Sequence, residues 1–124
     1  MMPALVGIGL ALAVALFARI VGFDRERVFY PVVLVVVASY YALFAVMAGG
    51  ASLVPESIGF VFFTAAAAIG FRTSLWVVVA GLAGHGVFDF FHHALVENSG
   101  VPTWWPTWCL AYDVAAAACL AALL

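Results

Sequence analysis

Polar residues occur along this chain in short clusters separated by long apolar runs, and the spacing of the clusters predicts the elements. Five runs are long enough, or nearly so, to cross a bilayer at about 20 residues per crossing. They extend from Pro3 to Gly22, Val28 to Ala48, Pro55 to Phe71, Ser74 to Val96 and Trp105 to Leu124. The third is the shortest, at about 17 residues, near the lower limit for a span. Each must be helical, because hydrocarbon offers no partner to an unpaired backbone amide or carbonyl. The alternation of an outer-membrane barrel strand is missing. The expected fold is all-α: an integral membrane bundle of five transmembrane helices with short loops, one transmembrane domain over residues 1–124.

The breaks carry matching punctuation. Gly22-Phe23-Asp24-Arg25-Glu26-Arg27 reads as a solvated, charge-balanced turn, and Pro31 falls in the first turn of the second span, where a missing N–H is harmless. Gly49-Gly50 ends that span and Pro55 opens the next. Arg72-Thr73-Ser74 is a tight turn, and Glu97 to Pro102 is the longest polar connection. It leads into Trp104, Trp105 and Trp108, which suit an interfacial aromatic belt. Small residues at Ala65–Ala68, Ala115–Ala118 and Gly81, Gly84 and Gly86 would let helices approach closely.

All four basic residues are arginines (Arg19, Arg25, Arg27 and Arg72), at the first-to-second and third-to-fourth turns. The positive-inside rule places that side in the cytoplasm, so the N-terminus is expected outside and the C-terminus inside a bacterial inner (plasma) membrane. A secretory signal is a poor reading of the first span, since its arginine follows the apolar run instead of preceding it.

Composition agrees with the pattern and narrows the function. Hydrophobic residues make up 69% and charged residues 8%, against about 25% charged in soluble domains. Such a chain can neither coat a soluble surface nor stay disordered. A net charge of −2 without a basic cluster excludes nucleic acid as a partner. The expected partners are the bilayer itself and a lipid-like or small apolar ligand, with a homodimer or a larger membrane complex as the assembly. Cys109 and Cys119 would lie about 15 Å apart on one helix, beyond the roughly 7 Å between Cα atoms that a disulfide tolerates.

The informative stretch is Gly84-His85-Gly86-Val87-Phe88-Asp89-Phe90-Phe91-His92-His93, which holds all three histidines. At 100° per residue, His85, Asp89, His92 and His93 share an arc of about 100° on the fourth span. Ionisable groups within a span usually face the bundle interior and mark a site. Asp113 on the fifth span and Glu56 at the start of the third are the acids able to meet them, and Ser39, Tyr40 and Tyr41 lie at similar depth. Glu56 also suits the ordinary role of an acid at a helix N-terminus.

Imidazole with carboxylate suits a divalent metal, zinc or iron. The candidate ligands are His85, Asp89, His92, His93 and Asp113. Cys109, one turn before Asp113, is a soft alternative. His85 and His92 are about 10 Å apart along the axis and hardly share one ion. Asp89-Phe90-Phe91-His92 has the carboxylate-x-x-His spacing of di-iron bundles, in a single copy. In an enzyme, a metal-bound water would react, with His85 or Glu56 as the catalytic proton acceptor. The competing readings are proton, metal-ion or solute translocation through the same groups, hydrogen-bonded helix contacts, and an accessory subunit of a membrane complex. The sequence contains no HExxH, CxxC, phosphate loop or nucleophile elbow.

Overall fold

Each apolar run is a helix in the computed structural model of the chain, which describes residues 1–124. The elements are α1 (Met2–Val21), a single 3-10 turn at Phe23–Arg25, α2 (Phe29–Met47), α3 (Leu53–Arg72), α4 (Leu75–Leu95) and α5 (Trp105–Leu123). All five helices are long and apolar enough to cross a membrane, with mean hydropathy from 1.4 to 2.4. The third is longer than the sequence suggested. It starts at Leu53, because Pro55 sits within the first turn, where no intrahelical N–H bond is lost.

Local chemistry sets the ends. Gly22 closes α1 at φ +97°, with its N–H donating to the Ala18 carbonyl. Gly49 and Gly50 adopt the same left-handed region after α2, and the Gly50 N–H donates back to the Ala45 carbonyl at 2.8 Å. Ser74 caps α4 by accepting from the Trp76 N–H. The charged turn is more than a solvated loop. Arg27 donates to the Phe71 carbonyl at 2.8 Å, so one arginine-bearing turn holds the C-terminus of α3 in the other.

Around the bundle, α1 packs along α5, α5 on α4, α4 on α3 and α3 on α2, with lighter contacts from α2 to α4 and α5. The α1–α2 and α3–α4 turns lie at one end, called here the arginine end. The α2–α3 turn and the α4–α5 loop lie at the other, the tryptophan end. There the Ser52 hydroxyl donates to the Glu97 carbonyl, joining turn to loop. Of the small residues, Gly86 lies against Leu110 and Val114 of α5 and Gly81 against Leu34 of α2, whereas a Cβ at Gly84 would meet open space. Trp104 is half exposed, as a belt residue would be, while Trp105 turns inward against Tyr40 and Phe44.

Candidate metal centre

The period of α4 turns His85, Asp89 and His92 inward, where all three are at most 2% exposed. Residues at i and i+4 stack one above the other on a helix, and His85 Nδ1 lies 3.5 Å from Asp89 Oδ2. The partner from α5 is Asp113. Its Oδ2 is 2.6 Å from His85 Nδ1, a distance at which the ring N–H donates to the carboxylate. One turn earlier on α5, the Cys109 thiol donates to the same Asp113 oxygen at 3.7 Å. From α2, the Tyr41 hydroxyl donates to Asp89 Oδ1 at 2.6 Å. One ligand atom each from His85, Asp89, Cys109 and Asp113 lies within 4.8 Å of the others, and all four residues are buried.

Hydrogen bonding within this group is incomplete. Asp89 Oδ2 and Asp113 Oδ1 are buried without a hydrogen-bond partner. Both aspartates are 0% exposed, so two carboxylates share an interior with one imidazole. The four arginines are all exposed and lie at the arginine end. No side-chain cation therefore balances the second carboxylate, and a buried charge without compensation is costly. A bound divalent cation, or a retained proton, meets that requirement.

Of the other residues singled out in the sequence, His92 belongs to a second group. Its Nε2 lies 2.9 and 2.7 Å from the two oxygens of Glu56. Asn98, in the α4–α5 loop, donates from Nδ2 to Glu56 Oε2 at 2.7 Å and to the Tyr41 carbonyl at 3.1 Å. Glu56 thus opens α3 as a buried partner of His92, at 2% exposure, and does not cap its own helix. His85 and Glu56 stand in different groups. His93, one residue beyond His92 and rotated by 100°, is exposed and joins neither. Ser39 donates to the Val36 carbonyl of its own helix, and Tyr40 faces Trp105 and Phe44.

Two features exceed the sequence reading. Tyr41, adjacent to Tyr40 and 100° from it, is a structural link between the groups: its ring stacks on His92 at 3.8 Å and 10°, and its hydroxyl reaches Asp89. Asn98 lies in the polar connection between α4 and α5 and reaches back to Glu56 and the Tyr41 carbonyl. The one available signal was depth, since Tyr41 and Asp89 each lie six residues from the tryptophan-end terminus of their helices.

No protein family, curated protein or solved structure matches this chain.

Proposed function

We propose that this is a small membrane metalloprotein whose divalent ion is held by His85, Asp89, Cys109 and Asp113. The observation that carries this reading is the pair of fully buried carboxylates, each with an unpartnered oxygen and neither facing an arginine. A divalent cation satisfies those oxygens and offsets both carboxylate charges beside a neutral imidazole, leaving one net negative charge when Cys109 ligates as thiolate. Zinc fits the donors better than iron, because it is borderline-soft and takes thiolate, imidazole and carboxylate together. Zinc bonds of about 2.0 Å to nitrogen and oxygen place tetrahedral ligand atoms about 3.3 Å apart. The 2.6 Å contact between His85 and Asp113 would therefore open slightly as the ion binds, with Nδ1 giving up its proton so that His85 ligates as neutral imidazole and with the Cys109 thiol proton released.

Four protein ligands, closed on all sides, are the donor set of a holding or structural centre. This weighs against a reactive metal-bound water and the oxygenase or hydrolase chemistry that needs an open position. Translocation is disfavoured by the arginine-end half of the interior. There Leu34, Val78 and Leu82 are 0% exposed and Leu120 is 2% exposed, an apolar plug below the ligands.

The test is elemental analysis of detergent-purified protein beside Asp89→Asn and Asp113→Asn. Near one zinc per chain is expected in the wild type, and none in either variant that retains its helical circular dichroism. A well-folded wild type that takes up no metal after dialysis against zinc overturns the reading. The group would then be a hydrogen-bonded helix contact.

A further inference from the structure

The second polar group takes no part in holding that ion. Glu56 and His92 are each 2% exposed, yet His92 and Asn98 line a cleft of about 710 Å³ at the tryptophan end, together with Glu97 and Thr107. Tyr41 forms the floor beneath His92, and Asp89 begins one helical turn below it on α4. A polar track therefore descends from cleft to metal group: His92 and Glu56, then the Tyr41 hydroxyl, then Asp89. Aromatic rings flank it, with Phe88 against His92, His85 and Tyr41.

We propose that Glu56, His92 and Asn98 form an inlet through which a divalent cation passes between the cleft and the four-ligand group. The inference rests on the metal reading. A hydrated ion cannot cross an apolar interior without replacement ligands, because shedding its water costs far more than any single contact returns. A carboxylate and an imidazole one turn above Asp89 supply such ligands in transit. In the closed arrangement they bond to each other, and Asn98 clamps the pair by bonding Glu56 and the Tyr41 carbonyl at once. A group that acts only on the barrier changes uptake and release by the same factor and leaves the affinity unchanged.

The test mixes metal-free protein in detergent with zinc by stopped flow, read with a zinc-sensitive dye, and then follows release into excess EDTA. Glu56→Gln keeps the shape but removes the charge that receives the ion. It is expected to slow both steps about tenfold, the effect of roughly 1.4 kcal/mol on a barrier, while one zinc per chain still binds. Asn98→Ala removes the clamp and is expected to speed both steps. Unchanged rates in Glu56→Gln overturn the inlet, and so does lost stoichiometry, which would make Glu56 a ligand. Should Glu56→Gln fail to fold, unchanged rates in Asn98→Ala overturn the inlet alone. Wild-type protein that takes up no zinc removes the metal reading as well, an outcome seen before any variant is made.

Discussion

Tyr41 shows how much one side chain can carry inside a bundle of this size. Its ring stacks on His92, its hydroxyl fixes Asp89, and its carbonyl accepts from Asn98. The hydroxyl is the separable part. Tyr41→Phe keeps the stack and leaves Asp89 Oδ1 without its donor, so the carboxylate is free to rotate away from the ligand position. Loss of an outer partner of a metal ligand lowers metal affinity by about 10–100-fold. The expected result is therefore weaker zinc binding by competition titration, with one zinc per chain still reached at saturation. In the metal-free protein the unpaired oxygen costs about 1–3 kcal/mol, read as a lower midpoint of detergent unfolding. If the group were only a helix contact, the stability loss would be the same with and without zinc. Cys109 and Asp113 act through a similar economy, since one carboxylate oxygen serves both the thiol and the imidazole.

At the scale of elements, close helix approach decides what each substitution does. Gly7 of α1 lies on the backbone of α5, and a Cβ there would overlap the Trp108 carbonyl oxygen. A backbone atom cannot rotate aside, so Gly7→Ala is expected to push α1 off α5 and cost about 1–3 kcal/mol. Yet α1 gives the metal group no residue, so zinc stoichiometry should survive in the same sample in which the unfolding midpoint falls. Zinc loss there would mean that α1 holds α5 in register for the site. This distinction also shows what the sequence could carry. The helices were legible because apolar runs between Gly, Pro and charged breaks have few alternatives in lipid, and the inward face of α4 was legible from its period. Only the N-terminal bound of α3 was misread, at a proline that a first turn tolerates. Which helices bring acids to the histidines was not legible. His85 meets Asp113 and His92 meets Glu56 because α5 and α3 both pack on α4 and each acid lies near its histidine's depth. Although depth can be counted along the chain, neighbour order around a bundle has no signature in one helix's period. For the same reason, His93 shares the polar arc of α4 and is nevertheless exposed in the fold.

At the scale of the whole molecule, the two ends are chemically unlike. The tryptophan end has a cleft, a loop and the Glu56–His92 pair, while the buried side chains toward the arginine end include Leu34, Val78, Leu82 and Leu120. An ion held between them should exchange with only one side of the membrane. Positively charged turns favour the cytoplasmic side by up to about 1 kcal/mol per residue near an anionic surface, so the side of exchange is expected to be the outer one. Vesicles prepared right-side-out and inside-out from cells producing the protein separate these statements. A membrane-impermeant chelator should strip zinc from the right-side-out vesicles and leave it in the inverted ones. The opposite result would place the arginine turns outside while keeping the one-sided path. Equal loss from both would mean that the leucine and valine layer opens. A translocation role would then regain its footing, because the plug is the physical argument against it.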